Sequence, residues 1–173
     1  LSGSMAAEDF EIRGQRVNRV EMARAVLKGF IDERPNDRIG LVAFGTEAYI
    51  ASPLTLDHDF LLKNLERLDL NSINGNQTAI GSALSTAVNR LREVKSKSKI
   101  VILMTDGQSN AGKVAPLTAA EAAQALNVKV YTIGVGTQGQ APMPAKDMFG
   151  RRVYQMVPVD IDEDTLTKIS DMT

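Results

Sequence analysis

Four oxygen-bearing side chains stand out by type and position: Ser2 and Ser4 in Leu1-Ser2-Gly3-Ser4-Met5, Thr78 after the polar stretch Asn71 to Gln77, and Asp106 after the apolar run Ile100-Val101-Ile102-Leu103-Met104. Hydroxyls and a carboxylate, with no nitrogen or sulfur among them, suit a hard divalent cation, magnesium by preference, with calcium and manganese as alternatives. A set made mainly of neutral hydroxyls leaves much of the ion's charge uncompensated. It is better suited to capturing a carboxylate from elsewhere through the metal than to storing the ion. Such a site would want one more acid, immediately before Leu1 at the end of a buried strand.

Each residue also has a plainer explanation when taken alone. Ser-Gly-Ser is ordinary loop material, Thr78 is expected as a helix N-cap, and Asp106-Gly107 is a common turn after a strand. Their combination at the ends of elements is what points to a metal. No catalytic machinery accompanies them: His58 is the sole histidine, and neither a Gly-x-Ser-x-Gly elbow nor a phosphate loop with Gly-Lys-Ser/Thr occurs. Absence of cysteine excludes thiol catalysis and zinc-thiolate sites, and a single histidine excludes a two-histidine site.

Other clusters read as structural. Arg90, Arg92, Lys95, Lys97 and Lys99 suit a solvated helix end. Asp160, Asp162 and Asp164 alternate as in a calcium loop, but Thr165 stands where that loop needs glycine, so they are assigned to helix capping. Asn76-Gln77-Thr78 matches a glycosylation pattern that would block the crevice and is set aside. Phe149 and the segment Gln140 to Lys146 are candidates for bordering the site.

The elements that must position these oxygens follow from periodicity. Val20, Ala23, Val26, Leu27, Phe30 and Ile31 predict a helix between the cap Asn18 and the breaker Pro35. Ile39 to Phe44 and Tyr49-Ile50 predict a hairpin, its second strand ended by Pro53, and Asp57 precedes a short helix carrying Leu61, Leu65 and Leu68. Thr78 opens a third helix; Ile100 to Met104 and Val128 to Val135 predict buried strands flanking an alanine-rich helix, Thr118 to Leu126. From Thr137 to Gly150 a long loop is expected, then an edge strand from Arg151 to Val157, and Asp162 to Asp164 cap a last helix. Strands alternating with helices imply an α/β fold, a three-layer Rossmann-like sandwich with a mostly parallel central sheet and helices on both faces. Ligands bind such folds outside the carboxyl ends of the strands. Ser2, Ser4, Thr78 and Asp106 all fall there.

With 173 residues, 43% apolar, 24% charged and a formal net charge of -1, the chain has the composition of one globular domain, and no charge excess points to nucleic acid. No stretch approaches the ~20 apolar residues of a membrane span. Both ends read as excisions, so the expectation is a single domain over residues 1–173 lacking its first strand and truncated at its C-terminus.

The spacing of Ser2, Ser4, Thr78 and Asp106-Gly107 resembles the metal-ion-dependent adhesion site of von Willebrand factor type A domains, Asp-x-Ser-x-Ser with a distant Thr and a distant Asp-Gly. The segments Arg34 to Phe44, Thr78-Ala79-Ile80-Gly81, Ala87 to Leu91, Ser98 to Leu103 and Tyr131 to Thr137 are similar to the bacterial aerotolerance (Bat) branch of that superfamily. The resemblance departs at Gly75-Asn76-Gln77, where many relatives have an acid and a glycine. It implies a non-enzymatic interaction module, with metal ligands Ser2, Ser4, Thr78 and Asp106 and a partner's acidic residue completing the shell. It further implies a bacterial inner-membrane protein with flanking membrane helices, the domain periplasmic, and partners of the MoxR-type AAA+ ATPase and tetratricopeptide-repeat classes. The alternatives are a metal-assisted phosphoesterase-type hydrolase and a structural domain whose adhesion site is degenerate.

Overall fold

Asn18 starts the first helix with a reciprocal pair of bonds: its side chain accepts from the Glu21 N–H, and the Glu21 carboxylate accepts from the Asn18 N–H. The structure, a computed structural model, describes residues 1–173. A 3-10 turn, Gly3–Ala6, leads into a small hairpin of β1 (Phe10–Ile12) and β2 (Gln15–Val17), and α1 follows at Arg19–Asp32. Then come β3 (Ile39–Phe44), β4 (Ala48–Thr55), α2 (His58–Arg67), α3 (Ile80–Leu91), β5 (Ile100–Thr105), α4 (Pro116–Ala125) and β6 (Lys129–Gly134). The chain closes with β7 (Gly139–Lys146), β8 (Arg152–Val159) and α5 (Glu163–Met172). The expected α/β class stands, and no helix is long and apolar enough to cross a membrane.

The strands are hydrogen-bonded as four two-stranded ladders: β1 with β2, β3 with β4 and β7 with β8 antiparallel, and β5 with β6 parallel. The β1–β2 hairpin turns on Arg13 and Gly14, both at positive φ (53° and 78°), as a two-residue connection requires. That hairpin was not anticipated from the sequence, because three-residue strands carry almost no periodic signal.

Three expectations are corrected. Pro53 does not end the second strand: β4 continues to Thr55, and the register shifts from Leu41↔Ser52 to Ile39↔Thr55, placing Pro53 and Leu54 opposite Gly40. A bulge is a place where a residue without an N–H is tolerated. The loop expected over Thr137 to Gly150 is largely strand β7, paired along its length with β8. Pro142 and Pro144 lie two residues apart, so both face the same edge; the Pro142 carbonyl points away from β8 to accept from the Glu8 N–H (3.0 Å), and the ladder never needs the missing donors. Finally, β6 is buried on one face only: Val130 is fully buried, whereas Tyr131 and Ile133 are exposed.

The larger core joins Ile80, Leu84 and Val88 of α3, Ala119, Ala120 and Ala123 of α4, Leu103 and Val130 of the parallel ladder, and Leu166 and Ile169 of α5. A smaller one packs Ile31 of α1 against Leu61 and Leu65 of α2. Between them runs an apolar cleft of about 1000 Å³, walled by Val42 and Phe44 of β3, Ile102 and Met104 of β5, Leu27 of α1 and Ala87 of α3. The facing edges of β3 and β5 are not bonded to each other. Leu84, 1% exposed, serves both the larger core and the cleft wall. Leu84→Ala is expected to lower the unfolding free energy by about 3 kcal/mol, within the range for buried leucine truncations, as read by urea denaturation.

Candidate metal centre

The 3-10 turn that begins at Gly3 brings two hydroxyls to one side: Ser2 Oγ and Ser4 Oγ are 2.7 Å apart. Ser2 Oγ also donates to Asp106 Oδ1 at 2.6 Å, across a sequence separation of 104 residues. Asp106 follows the last residue of β5, and its neighbour Gly107 lies against Thr78, whose Oγ1 would be 3.8 Å from a Cβ at that position. Ser2, Thr78 and Asp106 are all buried, and Ser4 is partly exposed. The structure thus brings Ser2, Ser4 and Asp106 into one hydrogen-bonded chain and sets Thr78 beside the Asp106-Gly107 turn.

Thr78 is not the helix N-cap expected from its position. Ala79 occupies that place, without a side-chain cap bond. Thr78 is instead fastened by Asn110, whose Oδ1 accepts from the Thr78 N–H (2.7 Å) and whose N–H donates to the Thr78 carbonyl (3.0 Å). Its hydroxyl is therefore not committed to capping.

The loop holding Ser2 is docked by backbone contacts. The Gly3 N–H donates to the Gly75 carbonyl at 2.8 Å, and a Cβ on Gly75 would sit only 2.6 Å from the Leu1 carbonyl oxygen. Only glycine permits this approach. The Leu1 nitrogen donates to the Phe44 carbonyl at 2.6 Å, so the chain enters the site along the end of β3.

An acid buried as deeply as Asp106 requires compensation. Arg19, fully buried, supplies it: Nη1 reaches Asp106 Oδ2 at 3.2 Å, while Nε and Nη2 grip Asp9 at 3.0 and 2.6 Å. Asp9 Oδ2 also accepts from the Thr137 N–H (3.3 Å) and hydroxyl (3.2 Å). Gly136, at φ 124°, lies so close to the guanidinium that a Cβ there would overlap it. Burial acts to raise the Asp9 carboxyl, but the hydrogen bonds and charge of Arg19 prevail and hold it below its ordinary value. Burial likewise acts to lower Arg19, and Asp9 and Asp106 outweigh it, so its value is raised.

Sequence reasoning missed Arg19, Asp9, Asn110 and the Gly75 contact. One signal was available. Arg19 opens a helix directly after its cap, where a positive charge opposes the helix dipole, so an arginine there implies a carboxylate partner. His58, by contrast, donates from Nε2 to the Asp37 carbonyl (2.9 Å), before the start of β3, and β3 separates it from the site by roughly 20 Å. The Gln140–Lys146 segment does border the centre, since β7 packs against the 3-10 turn, whereas Phe149 is exposed in the connection between β7 and β8. Asp162 caps α5 as expected, accepting from the Thr165 N–H.

The donor set passes a simple test of fit for a hard cation. Adjacent ligands of an octahedral magnesium lie roughly 3 Å apart, given bonds of about 2.1 Å, so oxygens at 2.6 and 2.7 Å need only a small spread to admit the ion. No group of three or more His, Asp or Glu side chains is disposed to hold a metal; the donors are hydroxyls and one carboxylate.

Asp9→Asn is expected to cost about 3 kcal/mol, the low end for breaking a buried ion pair. Since the folded Asp9 carboxyl lies below its unfolded value near 3.9, its contribution is complete above that pH and is lost as pH falls through the folded value. Thermal unfolding followed between pH 6 and 2 should accordingly show a shallower acid limb in the variant than in the parent.

Residues 1–169 match the von Willebrand factor type A domain. Over 173 residues the chain is 32% identical to an uncharacterized protein of Borreliella burgdorferi, and it spans about half the length of the curated relatives it matches. Among solved structures it is similar to the conserved hypothetical protein BatB of Bacteroides thetaiotaomicron, with a TM-score of 0.77, 27% identity, and 99% of this chain and 82% of that one covered. An aerotolerance-related membrane protein of Bacteroides fragilis shares the fold, with a TM-score of 0.78, 24% identity, and 99% and 83% covered. Proximal thread matrix protein 1 from the mussel byssus, solved with a zinc-occupied adhesion-site motif, superposes with a TM-score of 0.59 at 29% identity, over 67% of this chain and 33% of that one. The expected likeness to the Bat branch is met by these neighbours, and the chain belongs to the von Willebrand factor type A domain family.

Proposed function

We propose that this domain is a protein-interaction module in which Ser2, Ser4, Thr78 and Asp106 hold a divalent cation, magnesium by preference, and the cation takes a carboxylate from an acidic residue of a partner. The observation that carries this reading is the run of oxygens from Ser4 through Ser2 to Asp106 at 2.7 and 2.6 Å. Its donors are mostly neutral, and its one carboxylate is shared with Arg19. An ion held this way keeps charge to offer an incoming acid. The zinc-bearing motif of the mussel relative supports the same use of the fold.

The cleft between β3 and β5 belongs to this reading. Two strand edges with apolar walls suit one extended apolar segment lying beside β5. The likeness to BatB and to an aerotolerance-related membrane protein supports a membrane-associated setting, and the proposal extends it to a bacterial, inner-membrane-anchored protein with this domain in the periplasm. MoxR-type AAA+ ATPases and tetratricopeptide-repeat proteins are the partner classes this setting suggests.

Calorimetry on the protein should detect magnesium binding in the millimolar range or tighter; absence of both heat and thermal stabilisation would sink the metal assignment. Ser4→Ala is expected to weaken magnesium by about tenfold with little change in stability, because Ser4 is partly exposed. An immobilised glutamate-containing peptide should retain the protein only with the cation present and lose it to chelator, while its glutamine counterpart should not retain it. Hydrolysis of phosphate esters is expected to be nil, and metal-dependent turnover would transfer the site to the hydrolase reading.

A further inference from the structure

We infer that Arg19 is a positioning residue that competes with the cation for Asp106, and that Asp9 sets how strongly it competes. This rests on the metal reading of the preceding section.

Asp106 has two oxygens, each committed to a different group. Oδ1 accepts from Ser2 within the chain of candidate ligands, and Oδ2 accepts from Arg19 Nη1. A guanidinium and a cation on one carboxylate draw on the same negative charge, so each loosens the other's hold. Arg19 has no water to turn to, being fully buried, and the backbone at Gly136 blocks its retreat. What it has is Asp9, gripped by Nε and Nη2 on both oxygens. The more completely Asp9 satisfies Arg19, the more of Asp106 is left for a cation. Asp9 in turn is shared with Thr137, on the connection from β6 into β7, whose N–H and hydroxyl both donate to Oδ2.

The result is a relay, Ser4–Ser2–Asp106–Arg19–Asp9–Thr137, buried at Ser2, Asp106 and Arg19, that links the candidate metal ligands to the exposed root of the β7–β8 hairpin. An ordinary structural ion pair would need Arg19 and Asp9 alone. The additional bond from Nη1 to Asp106 is what makes the pair sensitive to the cation. Because such coupling is reciprocal, a partner that pulls on Thr137 through the hairpin alters cation affinity by the same factor that the cation alters the partner's.

Magnesium calorimetry on three variants separates this role from a merely structural one. Asp9→Asn leaves Arg19 with Asp106 as its sole charged partner, so magnesium should weaken by about fivefold or more, the lower end of ordinary site coupling. The double variant Asp9→Asn with Arg19→Gln removes the competitor and should return magnesium to the parent's affinity or tighter. A structural role predicts that the second change adds to the first loss. Thr137→Val keeps the Arg19–Asp9 pair and removes the hydroxyl that shares Asp9 Oδ2 with Arg19, leaving only the backbone N–H there; it should tighten magnesium, and it serves if the Asp9 variants do not fold. In the parent, saturating magnesium should speed exchange of the Thr137 amide, whose 3.3 Å bond to Asp9 is the longest in the relay. Unchanged or tighter binding in Asp9→Asn, no recovery in the double variant, or unchanged or weaker binding in Thr137→Val would each overturn the inference. Failure of the parent to bind magnesium would instead overturn the metal reading itself.

Discussion

The constraint on which the structure turns is the burial of one carboxylate. Asp106 stands 3% exposed at the end of β5, where the parallel ladder delivers it into the interior. A charge in that position must be met by donors, and those found come from distant segments: the Ser2 hydroxyl from the start of the chain and the Arg19 guanidinium from the first turn of α1. Meeting Asp106 therefore pins the N-terminal turn and α1 to the C-terminal end of β5. Asp9 follows because Arg19 has more donors than Asp106 can accept, and Thr137 follows because it shares Asp9 Oδ2 with Arg19.

The same end of the molecule carries both hairpins. The β1–β2 pair springs from the connection between the Ser2–Ser4 turn and α1, and the β7–β8 pair springs from the end of β6. They are cross-linked by Glu8, which is buried and receives Arg152 and the Tyr154 hydroxyl (2.8 Å), while Arg16 and Arg152 lie 5.4 and 5.6 Å from the Tyr154 ring. These contacts make the surround of the candidate metal centre a built surface with arginines on it.

Legibility from sequence followed the strength of local signals. The α1 and α5 caps were readable because Asn18 and Asp162 precede clear apolar stripes, and the structure shows both side chains accepting the expected N–H groups. The parallel strands were readable from apolar runs, although the one-sided exposure of Tyr131 and Ile133 was not, since a run of β-branched and aromatic residues says nothing of which neighbours cover it. β7 was misread because Pro142, Pro144 and glycine are loop residues on average. The structure excuses them by turning both prolines to the edge that faces Glu8. Thr78 was misread as a cap for the related reason that capping is a local habit, whereas Asn110 is a remote partner.

By itself the sequence determined the α/β class, the order of the principal elements and the identity of the four candidate oxygens, because these depend on periodicity, breakers and residue chemistry within short spans. The tertiary structure alone decided that Ser2, Ser4 and Asp106 touch, that Thr78 lies beside them, and that Arg19 shares Asp106 with them. Those facts depend on contacts across 87 and 104 residues, and no local pattern encodes them. They arise from the need to compensate a buried charge, which exists only once the chain has folded around it.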